Sequence, residues 1–169
     1  MSDSLIISKK EKKDVKLTID GLVQHPVSLG YEELSQFSES DQVVDVSRFA
    51  GKKQGDAVTL DSLLRLVEPL PEANYLTLHA GRDDFHVSIP LESVKLEGLL
   101  VYKICDEPLG LNQGGPFRFL IKDFAACHSA ELDDCANVKY LDRMELSQRK
   151  GLDTRPTTDE EHEALHKGA

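Results

Sequence analysis

Cysteine is scarce in this chain of 169 residues: there are three, an odd number, and tryptophan is absent altogether. So few thiols do not make the disulfide framework of a small secreted domain, and they read as reduced. Long apolar runs are missing as well. The lead "MSDSLIISKKEKKDVKL" has only residues 5–7 as an apolar run, short of the ~7–15 residues of a signal h-region. No segment approaches the ~20 apolar residues of a membrane span, so the expected address is cytoplasmic, without a membrane partner. Cations are outnumbered, 20 Lys+Arg against 30 Asp+Glu, for a formal net charge of −10. A molecule of that charge repels nucleic acid and anionic lipid, and an anionic ligand must be met by a local cluster of donors. No repeat period is present.

With 40 % hydrophobic and 30 % charged residues there is enough apolar material for one core. The expected division is an N-terminal tail over 1–14, one domain over 15–147 and a polar C-terminal tail or helix over 148–169. In "VKLTIDGLV" residues 15–19 alternate apolar and polar, which is strand periodicity, and break into a hairpin or bend at Asp20-Gly21. Ser28 or Tyr31 opens a helix of two or three turns with Glu32 and Glu33 in its first turn. A strand is expected over 43–46. A helix follows with Thr59 or Asp61 as its cap, a stripe of Leu60, Leu63, Leu64 and Val67, and a stop at Pro69 and Pro71. "NYLTLHA", "RDDFHVSIPLE", "EGLLVYKICDEPL", "PFRFLIK" and "VKYLDRMELS" read as further strands. Many short strands with a few short helices, without βαβ repetition, predict a mixed, β-sheet-rich α+β domain.

Several constellations carry chemical meaning. In "NQGGPFR", two glycines let the backbone turn tightly and approach a ligand, while Arg118 offers a bidentate fork for phosphate or carboxylate. The plain alternative is a turn whose arginine pairs with one of the many acids. "CHSAELDDC" contains Cys127, His128, Asp133, Asp134 and Cys135, but the cysteines are too far apart for one zinc knuckle and no second pair exists, so no metal site is expected. "HAGRDDFHVSIP" offers His79, Asp83, Asp84, His86 and Ser88; the spacing fixes no triad, and a Gly-Arg-Asp-Asp turn between strands is the preferred reading. His162 and His166, at i and i+4, are metal-compatible on a helix but lack the H-E-x-x-H arrangement, and a solvated terminal helix is the preferred reading.

Taken in order, "VKLTIDGLVQHPVSLGYEELSQF", "TLDSLLRLV", "ANYLTLHAGRDDFHVSIPLE", "GLLVYKICDEPL", "NQGGPFRFLI" and "NVKYLDRMELS" together resemble the molybdopterin-binding domain of the sulfite oxidase family over residues 15–147. The family's pattern runs "I-x-G-x-V-x-x-P-x-x-L", "D-G-Y-x-x-S-I-P-L", "L-A-Y-x-x-N-G-x-P-L", "G-x-P-x-R-L" and "V-K-W". The resemblance implies a mixed fold of packed sheets with the cofactor lying across loops at the sheet ends. It implies pterin and phosphate contacts at Gln113, Gly114, Gly115, Arg118, Asn137, Val138 and Lys139, with His79 facing the cofactor as well. Arg118 and Lys139, with the Gln113-Gly114-Gly115 turn, would then line one cleft that accepts an anion.

The departures matter equally. The family's molybdenum-ligand cysteine would fall near Asp45 or Val46, and residues 2–104 contain no cysteine. A carboxylate there does not replace a soft thiolate. Tyr140 stands for the tryptophan of "V-K-W", and Asp83-Asp84-Phe85 for "D-G-Y". The expectation is therefore a molybdopterin-cofactor-binding domain related to molybdenum oxidoreductases, with an open question over its activity. The alternative is a non-catalytic descendant whose cleft takes another anionic small molecule or a protein partner.

Overall fold

The computed structural model describes residues 15–50, 54–122 and 137–155. Two five-stranded sheets enclose the core. The first has the order β2 (Val27–Gly30), β1 (Lys16–Gly21), β10 (Arg143–Ser147), β5 (Tyr75–Ala80), β6 (Phe85–Pro90). Only its β1–β10 pair is parallel. The second runs β3 (Gln42–Val43), β4 (Asp56–Thr59), β7 (Gly98–Ile104). On the far edge of β7, β8 (Glu107–Pro108) and β9 (Arg118–Ile121) lie end to end. Four short helices join them: α1 (Tyr31–Ser35), α2 (Ser47–Ala50), α3 (Leu60–Val67) and α4 (Leu91–Val94) among the described residues. The expected sheet-rich α+β architecture is what the chain adopts. Among the described residues no helix is long and apolar enough to cross a membrane.

The strand alternation follows from period-two side-chain geometry. Leu17 and Ile19 of β1, Met144 and Leu146 of β10, Leu76 and Leu78 of β5 and Val87 and Ile89 of β6 all point into the main core. They meet Leu100, Tyr102, Phe119 and Ile121 of the second sheet there. The leucine stripe of α3 enters the same cluster through Leu60, Leu63, Leu64 and Val67. Its N-cap is Thr59, whose side chain accepts the Ser62 N–H. Glu68 in the left-handed region closes it. The strand β7 is buried on both faces, because Leu99 and Val101 belong to a second cluster with Val46, Ala57, Leu109 and Leu120. Two-sided burial explains the continuous apolar run "GLLVY".

Two elements differ in detail from the sequence reading. The first helix begins at Tyr31 and is five residues long, since only Tyr31 and Leu34 are buried and the apolar stripe covers a single turn. The strand expected over 43–46 stops at Val43. At Asp45 (φ 63) the chain turns, because its carboxylate takes both the backbone N–H and the hydroxyl of Ser47, a local bond that competes with the ladder. The expected bend after β1 is at Gly21 (φ 91), where a Cβ would lie 2.2 Å from the Leu146 carbonyl oxygen.

Beyond β10, residues 151–155 run along the outer edge of β6. Thr154 donates its N–H to the His86 carbonyl (2.8 Å) and accepts the His86 N–H on Oγ1 (2.9 Å). The Ser88 N–H goes to Asp153 Oδ2 (3.2 Å). This segment covers an edge that would otherwise be a template for another strand.

Candidate functional site

The turn before β9 is built largely from backbone. The Gln113 N–H and the Gly115 N–H both reach the Gly110 carbonyl at 3.0 Å, and the Gly114 N–H reaches that of Leu111 at 3.1 Å. The Gln113 side chain folds back, its Oε1 accepting the Gly110 N–H at 2.9 Å. Gly114 has φ 85, and Gly115 is followed by a cis peptide bond to Pro116. Neither position has room for a side chain: a Cβ on Gly115 would stand 2.3 Å from Leu109 Cβ, and one on Gly114 would stand 2.9 Å from Lys139 Cγ. The stem of Lys139 therefore lies directly over Gly114.

Residues 137–141 are laced to this turn and to β9. Val138 exchanges both backbone bonds with Phe119 (2.7 and 3.0 Å), the Tyr140 N–H goes to the Gly114 carbonyl (2.8 Å), and the Leu141 N–H goes to Phe117 (2.9 Å). Asn137 Oδ1 accepts the Ile121 N–H at 3.0 Å, so this side chain caps the strand edge. Tyr140 adopts φ 57, a value an aromatic residue holds only when its neighbours impose it.

Arg118 sits at the centre. It is 8 % exposed. Nη1 donates to the Gln113 carbonyl at 3.2 Å, and Nε is buried with no hydrogen-bond partner. Burial pushes the guanidinium below its ordinary pKa, opposed by Tyr140, although an arginine stays cationic throughout the physiological range. A buried cation with so few acceptors carries an uncompensated desolvation cost. An anion seated beside it would supply the missing acceptors.

Lys139 is exposed and makes no ion pair among the described residues. Asp142, further along the same segment, accepts the Gly81 N–H (3.0 Å). The Arg82 guanidinium carbon stands 5.0 Å from the centre of the Tyr140 ring. The sequence reading treated Arg82 as part of a plain turn, and the turn is there, a single 3-10 turn at Gly81–Asp83. Its contact with Tyr140 joins residues far apart in the chain, which no local spacing reveals.

The structure thus brings Gln113, Gly114, Gly115, Arg118, Val138 and Lys139 together, with Asn137 one step along the strand edge. His79 lies in the other sheet, on β5. Its Nδ1 meets His86 Nδ1 at 2.8 Å and its Nε2 meets Glu145 Oε1 at 3.0 Å, so both ring nitrogens are engaged within the sheet. Asp45 is exposed at the start of α2 with its carboxylate held by Ser47, which lowers its pKa. Cys105, the one cysteine among the described residues, is exposed on the β7–β8 turn. Among the described residues no group of three or more His, Cys, Asp or Glu side chains could hold a metal ion. The segments carrying Cys127, His128 and Cys135, and His162 and His166, lie outside the described residues.

Among solved structures, the fold is similar to that of the sulfane dehydrogenase SoxCD from Paracoccus pantotrophus, with a TM-score of 0.60 at 20 % identity. The similarity covers 85 % of this chain and 40 % of that one, so the chain spans well under half the length of its structural neighbour. No curated protein matches the sequence. The sequence itself matches the oxidoreductase molybdopterin binding domain family over residues 5–153, which takes in both sheets, the glycine turn and the β6 edge segment as far as Asp153. On that match the chain belongs to the oxidoreductase molybdopterin binding domain family.

Proposed function

We propose that this domain binds a pterin cofactor of the molybdopterin type by its phosphate, at the Gln113-Gly114-Gly115 turn with Arg118 and Lys139. The single observation that carries the reading is the buried, unpartnered Nε of Arg118. The residues fit the anionic end of the cofactor. Arg118 supplies a preorganised fork, and the stem of Lys139 on Gly114 holds at the rim an ammonium that pairs with no acid among the described residues. When bound, such a cofactor supplies two-electron oxo transfer, and the protein's part is orientation and charge. Asn137 and Val138 serve the site by fixing the backbone that presents Lys139.

The residues near Asp45 do not fit the metal end. A carboxylate tied to Ser47 is a hard donor where a thiolate would be needed. That observation favours a second reading, in which the cleft keeps the anion and has lost the redox centre, so that the domain is a non-catalytic binder of a pterin phosphate or a similar small anion. Protein purified from a cofactor-producing host and analysed for molybdenum and for oxidised-pterin fluorescence separates them. Pterin and molybdenum near one per chain support the enzyme, and pterin without metal supports the binder. Neither pterin nor any phosphate affinity would sink both.

A further inference from the structure

We propose that Arg82 is a third cation of the same anion site, positioned by Tyr140, and that the group bound there is a phosphate dianion and not a carboxylate. The inference rests on the anion-binding reading of the Arg118 turn and deepens it.

Two contacts tie the β5–β6 turn to the segment that carries Lys139. The Gly81 N–H donates to Asp142 Oδ2, so closely that a Cβ on Gly81 would lie 2.9 Å from that oxygen. The Arg82 guanidinium lies over the Tyr140 ring. Tyr140 is the residue after Lys139, and its own N–H is bonded to the Gly114 carbonyl. Its left-handed backbone is therefore imposed by the glycine turn, and the ring it presents is the seat for Arg82. A cation over a ring face keeps its in-plane N–H donors free.

Among the described residues those donors meet no carboxylate. Arg82 is followed by Asp83 and Asp84 in a chain of net charge −10, yet it makes no ion pair among the described residues. Asp84 turns instead to His86 Nε2 at 3.0 Å. Arg118 buried at the base, Lys139 on Gly114 and Arg82 on the ring of Tyr140 are thus three cations that no acid among the described residues neutralises. A carboxylate brings a single charge, whereas a phosphate monoester near neutral pH carries close to two, with several acceptor oxygens for separate donors.

The test is titration of the full chain with inorganic phosphate and, separately, acetate at constant ionic strength, for wild type, Arg82→Ala, Arg118→Ala, Tyr140→Phe, Tyr140→Leu and the Arg82→Ala/Tyr140→Leu double variant. Thermal unfolding confirms that each is folded; Arg82 is exposed, and Arg82→Gln stands in should the Ala variant misbehave. Phosphate is expected to bind wild type more tightly than acetate, and Arg82→Ala to weaken phosphate about five- to tenfold. Tyr140→Phe keeps the ring and retains the affinity. Tyr140→Leu loses as much as Arg82→Ala, and the double variant loses no more, the non-additivity of residues that act as a unit. If phosphate binds Arg82→Ala as it binds wild type while Arg118→Ala fails, the Arg82 assignment is overturned and the anion site stands. Acetate binding as tightly as phosphate overturns the dianion assignment. If wild type binds neither anion, or Arg118→Ala binds like wild type, the underlying site falls and this proposal with it.

Discussion

His79 and His86 face each other across β5 and β6 with their Nδ1 atoms 2.8 Å apart, and each turns its Nε2 to a carboxylate: His79 to Glu145 Oε1, His86 to Asp84 Oδ1, both at 3.0 Å. One ring donates and the other accepts at the Nδ1 contact, and each Nε2 lies within hydrogen-bond reach of its carboxylate. The chain of bonds links β10, β5 and β6 on the outer face of the first sheet. The rings are 13 % and 12 % exposed, so water replaces a lost partner poorly. His86→Ala and His79→Ala are each expected to destabilise the fold by about 1–2 kcal/mol in urea unfolding. The double variant should cost clearly less than the sum, because the second truncation removes a group already orphaned. Strictly additive losses would show that the contact contributes nothing.

Asp153 and Arg155 form the clasp of the edge segment. Nη2 of Arg155 lies 2.7 Å from Asp153 Oδ2, Nε bonds both carboxylate oxygens at 3.0 and 3.2 Å, and the side chains are 10 % and 13 % exposed. Burial pushes the Asp153 carboxyl up, but the Arg155 guanidinium and the Arg155 and Ser88 backbone N–H groups outweigh it, leaving a pKa below the ordinary carboxylate value. A depressed folded pKa gives stability that is present above the unfolded value of about 3.9 and is lost as pH falls through the folded one. Asp153→Asn is thus expected to lower stability near neutral pH by on the order of 2 kcal/mol. The gap from wild type should narrow below about pH 4. A gap that stays constant down to pH 2 would exclude the ionised clasp. The variant should also aggregate more readily, since the β6 edge it uncovers is free to pair.

The parts of the fold that were legible from sequence are those whose signals are local. β1 was readable because Leu17 and Ile19 alternate with polar neighbours, and α3 because a capping threonine precedes a leucine stripe that ends in prolines. The glycine pair and Arg118 stood out for the same reason. What could not be read depends on which distant segments the sheets bring together. Thr154 and Asp153 look like any polar tail until β6 is seen to end the first sheet. Arg82 looks like a turn residue until Tyr140 arrives beneath it from the other side of the domain. His79 matched a family position, but its ring partners come from β6 and β10, strands whose pairing no single stretch of sequence encodes.

The cap and the stripe of α3 act on different scales, which a pair of substitutions separates. Thr59→Ala removes one acceptor for the Ser62 N–H at the surface end of the helix and should cost about 1 kcal/mol. Leu63→Ala opens a cavity in the core between the two sheets, where Leu63 is almost wholly buried, and should cost about 2–5 kcal/mol. Equal losses in chemical denaturation would mean that the helix is not held by its leucines.

Gly114 combines two constraints that can be told apart by choosing what replaces it. Its φ of 85 strains any ordinary side chain, and a Cβ would sit 2.9 Å from Lys139 Cγ and 3.3 Å from Lys139 Cβ. Gly114→Ala meets both and is expected to lose about 1–2 kcal/mol of stability together with phosphate affinity. Asparagine tolerates the left-handed region better than alanine does, so Gly114→Asn should recover much of the stability. It cannot recover the seat of Lys139, whose stem must still move away from the new Cβ. Its phosphate affinity should therefore stay low, near that of Lys139→Met, at a stability closer to wild type. If Gly114→Asn binds phosphate as wild type does, the packing of Lys139 on this glycine is not part of the site, and the turn's positive φ alone explains why a glycine stands there.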